Sequence, residues 1–249
     1  KLVGPNELFN RSKKLADQLF KKKKIIIAKG DKGKISRVNN LFMTPVTHPS
    51  LNITAKGQLN VNEIVQIRKI LFKKNYYLIG KNIQNSPSPF IHNFVFSKNN
   101  LTNEYKLFDT KNELDIKNLL NNPDFLGASV TIPYKESIIK YLNDLDDDSK
   151  KIKAVNTIIK KGNKLLGSNT DWVALYNIIN NTNGSGIIIG SGGAARAACY
   201  AMLKANIKFD IICRNNIKGL ELINEFNGNK CYSMDYDISS LKPKIVIIC

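Results

Sequence analysis

A glycine-rich turn joins an apolar strand to an alanine-rich helix, and this feature restricts the possible folds of the chain more than any other. The turn reads GSGGAA at residues 190–195, directly after the apolar run 187–189. It fits the pattern G-x-G-x-x-G/A, in which the first glycine permits a tight turn and the second lets the backbone approach a pyrophosphate. The helix that follows offers unpaired N–H groups to that anion. A turn that serves packing alone is the alternative, but the flanking strand and helix favour dinucleotide binding by Gly190, Gly192, Gly193 and Ala194.

The residues after the next strand bear on which dinucleotide is bound. An enzyme that uses NAD usually has Asp or Glu there, to bind the ribose 2′-OH. Here the apolar run 207–213 is followed by Arg214, and Lys218 comes one helical turn later. Cations at this point suit a 2′-phosphate, although two solvated surface cations are common in so basic a chain. We therefore expect NADP(H) as the cofactor, with Arg214 and Lys218 among its binding residues.

The composition argues against several classes of partner. The formal net charge is +18, yet only five of the 38 basic residues are arginine, the residue that phosphate and base recognition favours. The densest basic run, residues 21–24, suits the C-terminal end of a helix. No apolar run approaches the roughly 20 residues that span a bilayer, and the four cysteines lack metal-ligand spacing. We expect no nucleic-acid, membrane or metal partner, and a cytoplasmic location.

Alternating helix and strand patterns divide the chain into three segments. The patterns before residue 75 predict helices at 6–20 and 62–72, a strand at 25–28 and an apolar run at 41–46. Those after it predict a strand at 76–80, a helix at 89–96, a strand and turn at 125–133, and strands at 187–189, 207–213 and 244–249. We expect domains at 1–75, 76–183 and 184–249. The last is expected to be truncated, because the chain stops in a strand pattern without a closing helix.

Three clusters of polar residues between positions 80 and 172 suit a small polyhydroxylated acid. The first is SPSP at residues 86–89, where two hydroxyls on a loop entering a helix can hold a carboxylate. The second is SVTIPYK at 129–135, which places a lysine after a strand and a proline turn. The third combines AVNT at 154–157 with GSNTD at 167–171.

Taken singly, these clusters have ordinary explanations. Ser86 and Ser88 suit helix caps, Lys135 is one of many surface lysines, and Asp171 suits the N-cap of the helix that follows it. Composition and spacing do not choose between those explanations and a reacting site.

Taken together, the motifs SPSPFIHN, VTIPYK, AVNT, NTD and GSGGAARA resemble those of the shikimate dehydrogenase family in order and spacing, over residues 76–249. The resemblance implies an α/β chain, with an α/β substrate domain followed by a truncated Rossmann NADP-binding domain. It implies NADPH-dependent reduction of 3-dehydroshikimate, a small-molecule substrate, to shikimate in aromatic amino acid biosynthesis. It also implies Lys135 and Asp171 as the catalytic pair. The residues expected to hold the substrate's carboxylate and ring hydroxyls are Ser86, Ser88, Thr131, Asn156 and Asp171.

The chain departs from the family pattern at several positions. Lys153 stands before AVNT where the family commonly has Gly, and Ser168 stands before NTD where it has Asp. Asn85 replaces a His, and Cys213 replaces an Asn. We expect Lys153 to alter the local backbone geometry. The family also has a substrate-contacting Gln and a closing helix nearer its C-terminus, so low activity is expected of this stretch alone.

Residues 1–75 resemble the end of type I 3-dehydroquinate dehydratases, on the motifs KLVG, ISRVNN, FMTPVTHP and GQL. The resemblance assigns a Schiff-base lysine to Lys1, a carboxylate-binding arginine to Arg37 and a loop glutamine to Gln58. The catalytic His and most of the (β/α)8 barrel are expected upstream, so we expect an inactive barrel remnant here. A dehydratase that runs directly into a shikimate dehydrogenase resembles the AROM family of pentafunctional enzymes, which implies a homodimer of the full-length polypeptide.

Three other hypotheses stay open. A quinate/shikimate dehydrogenase that uses NAD would show a preference for that nucleotide. A basic binding module without catalysis would show nucleic-acid affinity that falls steeply with salt. An inactive fragment that does not fold fully would expose unpaired strand edges.

Overall fold

The computed structural model describes residues 27, 30–38, 47, 50–51, 55–71, 74–99, 101–237 and 239–249. The chain divides into two compact units, Lys1–Lys73 with Asn100–Asn103 and Lys74–Asn99 with Glu104–Cys249. The domain boundaries expected near residues 75 and 183 stay predictions. Four sequence-based expectations lie outside the described residues: the helix at 6–20, the basic run at 21–24, the strand at 25–28 apart from Ile27, and the apolar run at 41–46.

The described part of the first unit contains the helices α1 (Lys34–Val38) and α2 (Val61–Leu71), with a short 3-10 helix at Asp31–Gly33. Helix α2 lies within one residue of the helix expected at 62–72. It begins at a reciprocal cap, in which the Asn60 N–H donates to Glu63 Oε2 (2.8 Å) and the Glu63 N–H donates to Asn60 Oδ1 (2.9 Å). A small apolar cluster joins the helices: Val38, Leu59 and Ile64.

The second unit alternates strands with helices. Its strands, within the described residues, are β1 (Asn75–Gly80), β2 (Glu104–Asp109), β3 (Phe125–Val130), β4 (Asp144–Leu145), β5 (Thr157–Lys161), β6 (Lys164–Ser168), β7 (Ser185–Ile189), β8 (Lys208–Ile212), β9 (Cys231–Tyr232) and β10 (Ile245–Ile248). Its helices are α3 (Ser88–Lys98), α4 (Glu113–Leu120), α5 (Asp147–Ile152), α6 (Asp171–Ile179), α7 (Gly193–Lys204) and α8 (Asn216–Phe226), with a 3-10 helix at Ser137–Tyr141. The strands and helices expected between residues 76 and 249 all have counterparts here.

The first sheet gathers the ends of four strands at one edge. Its order is β2-β1-β3-β5-β6-β4. Strands β1 and β3 are parallel, whereas β5 runs antiparallel to both β3 and β6. The carboxyl ends of β1, β3 and β6 therefore lie beside the amino end of β5. The register shows this directly, since Ser129 and Ser168 each pair with Thr157.

The second sheet is entirely parallel, in the order β10-β7-β8-β9. Its apolar strands are covered by α7, whose residues from Ala195 to Met202 are buried. The carboxyl ends of β7 and β8 share one edge, and the glycine turn follows β7 there. This is the Rossmann-like arrangement expected from the glycine motif.

The two sheets make the second unit an α/β fold, as the sequence predicted. None of the helices in the described ranges is long and apolar enough to cross a bilayer.

Candidate active site

The edge of the first sheet brings Lys135 and Asp171 together. Lys135 follows β3 through a turn in which the Tyr134 N–H donates to the Thr131 carbonyl, and Asp171 follows β6. The Lys135 Nζ donates to Asp171 Oδ2 at 2.7 Å. The two side chains are only 16% and 32% exposed, respectively. An ammonium and a carboxylate are thus paired at a half-buried position, where a charge-assisted hydrogen bond is stronger than at an open surface.

The alternative explanation of Asp171, as the N-cap of its helix, is wrong. The N-cap position of α6 is Thr170, and Asp171 is the first residue of the helix. Its carboxylate turns to Lys135 and to Asn156, and the N-cap residue Thr170 makes no side-chain hydrogen bond to the helix.

Asn156 holds the other oxygen of the same carboxylate. Its Nδ2 donates to Asp171 Oδ1 at 2.7 Å and to Thr170 Oγ1 at 2.9 Å. Its Oδ1 accepts from the Thr170 N–H at 2.9 Å. Asn156 lies just before β5 and is fixed at the sheet edge because its carbonyl accepts from the Val130 N–H at 2.7 Å. The structure therefore joins three of the expected site residues, Lys135, Asn156 and Asp171, in one hydrogen-bonded cluster.

Asn169 fixes the backbone next to this cluster, although the sequence did not indicate such a role for it. It is 2% exposed. Its Nδ2 donates to the Ala154 carbonyl at 2.9 Å, and its Oδ1 accepts from the Asp171 N–H at 3.0 Å. One side chain thus fixes both the segment leading to Asn156 and the backbone of Asp171. The position of Asn169 inside the NTD motif was the one sequence signal for this role. Its partner Ala154 is 15 residues away in sequence, so the contact is not visible in a local pattern.

Ser86 and Ser88 lie on the loop and helix that follow β1, and both are half-buried. Ser86 Oγ donates to Ser88 Oγ at 3.1 Å and accepts from the Ser88 N–H at 3.3 Å. Among the described residues, neither hydrogen-bonds to Lys135, Asn156 or Asp171. The N-cap residue of helix α3 is Pro87, which makes no side-chain hydrogen bond to the helix.

The loop carrying Ser86 is held by Asp109, a second residue that the sequence did not indicate. Asp109 ends β2, and its carboxylate accepts from the N–H groups of Asn82 and Ile83, each at 3.0 Å.

Thr131 directly follows β3 at the same edge of the sheet. Its N–H donates to the Ile79 carbonyl at 2.9 Å, and a Cβ on Gly80 would lie 2.5 Å from its Cγ2.

The glycine turn has the backbone that dinucleotide binding requires. Gly190 has φ 129°, a conformation that L side chains rarely adopt. At Gly192 an added Cβ would meet nothing within 4 Å, so a ligand has open access to the backbone. Helix α7 begins there without a side-chain cap, which leaves its first N–H groups free for an anion. The turn therefore fits a pyrophosphate.

Gly193 connects this turn to the reacting cluster. A Cβ at Gly193 would lie 2.7 Å from Lys135 Cβ and 3.4 Å from Ala154 Cβ. Because real Cβ contacts are longer, only glycine lets the start of α7 approach Lys135 this closely. The glycine turn and the Lys135–Asp171 pair are therefore neighbours, with Ala194 one residue further along the same helix.

Arg214 and Lys218 lie just beyond β8, as expected, and both are exposed. Between residues 213 and 218 the sequence CRNNIK contains no acid. Asn215 caps α8 by accepting from the Lys218 N–H at 3.1 Å. The Lys218 Nζ lies 3.9 Å from Glu136 Oε2, an exposed contact that holds it weakly.

The altered backbone geometry expected at Lys153 is not found, because this residue adopts the left-handed conformation that is open to glycine. It ends α5 with φ 57° and ψ 34°. A non-glycine residue in this left-handed region costs about 1–2 kcal/mol. The segment therefore keeps the geometry that glycine adopts freely.

The residues assigned to a dehydratase site are only partly described. Arg37 is buried in α1, Gln58 is half-buried before α2, and Lys1 lies outside the described residues.

Comparison with known proteins gives two family matches. Residues 78–158 match the shikimate dehydrogenase substrate binding domain, and residues 7–75 match type I 3-dehydroquinase. The pentafunctional AROM polypeptide of Pneumocystis carinii is 43% identical over 222 residues, which are 82% of this chain and 14% of that polypeptide. The chain thus spans a small part of the curated relative that it matches.

Two solved structures resemble the chain over most of its length. Shikimate dehydrogenase 1 of Peptoclostridium difficile is 30% identical with a TM-score of 0.62, over 71% of this chain and 67% of that one. A shikimate dehydrogenase in complex with NADP+ is 32% identical with a TM-score of 0.61, over 71% of this chain and 66% of that one.

Proposed function

This chain belongs to the shikimate dehydrogenase family, and on that basis we propose that it catalyses the NADPH-dependent reduction of 3-dehydroshikimate to shikimate. It shares with AROM polypeptides the order of a type I 3-dehydroquinase segment followed by a shikimate dehydrogenase segment. The observation that supports the proposal best is the 2.7 Å hydrogen bond between Lys135 and Asp171 beside the glycine turn.

Lys135 and Asp171 are the catalytic pair in this proposal. When bound, NADPH supplies the hydride that the C3 carbonyl carbon of 3-dehydroshikimate accepts. Lys135 Nζ donates the proton that the C3 oxygen takes up, and its charge stabilises the negative charge developing on that oxygen. Asp171 accepts the hydrogen bond from Lys135 and so fixes the direction in which the proton is delivered.

The remaining polar residues of the sheet edge hold the substrate. Ser86 and Ser88 present two half-buried hydroxyls on the loop after β1, which suits the substrate's carboxylate. Thr131 and Asn156 lie at the ends of neighbouring strands, where their side chains suit the ring hydroxyls. These side chains position the C3 carbonyl, and positioning supplies a large part of the rate in a two-substrate reaction.

NADP(H) is the proposed cofactor. Gly190, Gly192, Gly193 and Ala194 form the turn and helix start that suit the pyrophosphate. Arg214 and Lys218 provide cations, without an acid between residues 213 and 218, where a 2′-phosphate is recognised. A related solved structure contains NADP+.

The reverse reaction tests the proposal. Shikimate-dependent reduction of NADP+, followed at 340 nm, is expected in longer polypeptides that contain this chain and, at a lower rate, in this chain. NAD+ is expected to be the poorer substrate. Reduction of neither nucleotide would contradict the proposal, and a strong preference for NAD+ with quinate would favour the quinate/shikimate dehydrogenase hypothesis.

Three finer expectations remain proposals. We propose a homodimer of the full-length polypeptide, which light scattering tests. We propose a cytoplasmic location, tested by fractionation. We also propose that nucleic acid is not a partner, despite the charge of +18; a steep fall of DNA affinity with salt would contradict this.

A further inference from the structure

A group of three charged residues lies outside the site already described. Lys153 follows helix α5, Arg196 is in α7 and Glu225 is in α8. The Lys153 Nζ lies 2.6 Å from Glu225 Oε1. The Arg196 guanidinium donates to Glu225 Oε2 through Nη2 and to the Ile152 carbonyl through Nε. We call these three residues the charged latch.

The Arg196–Glu225 pair of the latch is partly buried. The side chains of Arg196 and Glu225 are 10% and 25% exposed, respectively. The Arg196 guanidinium also lies over the Phe226 ring, 5.5 Å from its centroid. A planar guanidinium that is stacked on one side and hydrogen-bonded along its edge has little freedom. Breaking such a partly buried pair has a larger effect than removing a surface ion pair.

The latch joins the nucleotide-binding sheet to the segment that carries Asn156. Arg196 and Glu225 belong to helices that pack on the second sheet, whereas Ile152 and Lys153 lead into residues 154–156. In that segment the Val155 N–H donates to the Lys135 carbonyl at 2.7 Å. Asn156 then binds Asp171 at 2.7 Å. Two residues, Ala154 and Val155, separate Lys153 of the latch from Asn156, which contacts the catalytic pair directly.

A second contact supports the same connection. Tyr200 of α7 donates to Asp148 of α5 at 2.6 Å, and its ring packs edge-on against Trp172 with centroids 5.2 Å apart. Trp172 is the residue after Asp171 and the single tryptophan of the chain. Its fluorescence therefore reports on this packing without any need for activity.

We propose that Lys153, Arg196 and Glu225 are positioning residues, which fix the segment 152–156 to the nucleotide-binding sheet and so align Asn156 and Asp171 with the glycine turn. The kinetic part of this inference rests on the proposed function. Lys153, which stands where the family commonly has glycine, adds its own ion pair to the latch. Arg196 is itself anchored at the glycine turn, because its backbone N–H donates to the Gly192 carbonyl at 3.0 Å. The effect of the latch on the substrate side of the reaction is through Asn156 and the Lys135 backbone.

The test compares Glu225→Gln with Glu221→Gln. Glu221 is exposed one helical turn earlier on α8, which makes it the matched control. For Glu225→Gln we expect kcat to fall about tenfold, since small misplacements of reacting groups have effects of this order. The KM for NADP+ should stay within about twofold, because Glu225→Gln changes none of the residues proposed to bind the nucleotide. Acrylamide should quench the fluorescence of Trp172 more readily in this variant. Glu221→Gln should change neither kcat nor the quenching.

A second variant covers the possibility that Glu225→Gln folds poorly. Lys153→Met removes only the more exposed ion pair and keeps the side-chain length. We therefore expect a smaller fall in kcat and a smaller increase in the quenching of Trp172. Unchanged kcat and quenching in Glu225→Gln would overturn the proposal, as would a lower melting temperature with unchanged kcat. If the unsubstituted chain does not oxidise shikimate, the proposed function fails. The positioning role of the latch is then tested by quenching alone, and equal quenching in Glu225→Gln and Glu221→Gln would overturn that role.

Discussion

Single residues carry the chemistry of this chain through their position in the sheet edge. Lys135 and Asp171 are 36 residues apart in sequence, yet their side chains are 2.7 Å apart. The antiparallel strand β5 between β3 and β6 creates this proximity. Spacing in the sequence alone left Asp171 equally suitable as a helix cap, and the fold removes that explanation.

The role of Lys135 is testable by its removal. Lys135→Ala is expected to lower kcat by about 10² to 10⁴, the usual range for a positioned acid–base group, with little effect on folding. Steady-state NADP+ reduction with shikimate measures this, and Lys117→Ala on α4 is the exposed control. Near-normal turnover in Lys135→Ala would remove this residue from its proposed role.

Asn169 is expected to support both stability and rate. Asn169→Ala leaves the Ala154 carbonyl and the Asp171 N–H without a buried partner. We expect the free energy of unfolding to fall by about 1–3 kcal/mol, measured by urea denaturation, together with a lower kcat. Asn180→Ala, at the exposed end of α6, serves as the control. Equal stability of the two variants would show that Asn169 does not hold this edge.

Whole elements, rather than single groups, bring the reacting cluster to the glycine turn. Helix α7 begins against Lys135 because Gly193 has no side chain, and α5 is tied to α7 by Arg196 and Tyr200. The two sheets are therefore connected at the site by several independent contacts.

The two neighbouring glycines of the turn should separate binding from positioning. Gly193→Ala places a Cβ 2.7 Å from Lys135 Cβ, so we expect Lys135 to shift and kcat to fall about tenfold. Gly192→Ala has open space and an ordinary φ of −96°. It should fold normally and mainly raise the KM for NADP+, because its methyl group obstructs the approach to the backbone. Identical kinetic effects of the two variants would contradict this division.

The charged latch predicts a pH dependence of stability. Burial raises the pKa of the Glu225 carboxyl, but hydrogen bonds and charge from Lys153 and Arg196 outweigh that effect, so the pKa lies below its ordinary value of 4.5. A carboxyl with a lowered pKa in the folded state stabilises the protein above its unfolded pKa, and the contribution is lost as pH falls through the folded pKa. The melting temperature should therefore decline more steeply below pH 4.5 in the unsubstituted chain than in Glu225→Gln. Parallel declines would show that Glu225 is not paired as described.

At the scale of the whole molecule, the sequence predicted what depends on local pattern. The glycine turn, the apolar strands 187–189 and 207–213 and helix α2 are each defined by neighbouring residues, and each was found close to its predicted place. The close approach of Gly193 to Lys135 and the contact of Asn169 with Ala154 depend on how distant strands pair. Lys153 was recognised as a departure, but neither its left-handed backbone nor its partner Glu225 is visible in a local pattern.

The central claim is that Lys135, oriented by Asp171, delivers the proton to the C3 oxygen beside the nicotinamide. A crystal structure of the chain with shikimate and NADP+ measures this most directly. We predict that Lys135 Nζ lies within hydrogen-bond distance of the C3 oxygen, still paired with Asp171, with the pyrophosphate on the turn at Gly190–193. A complex in which the C3 oxygen faces away from Lys135, or in which the pair separates, would contradict the account.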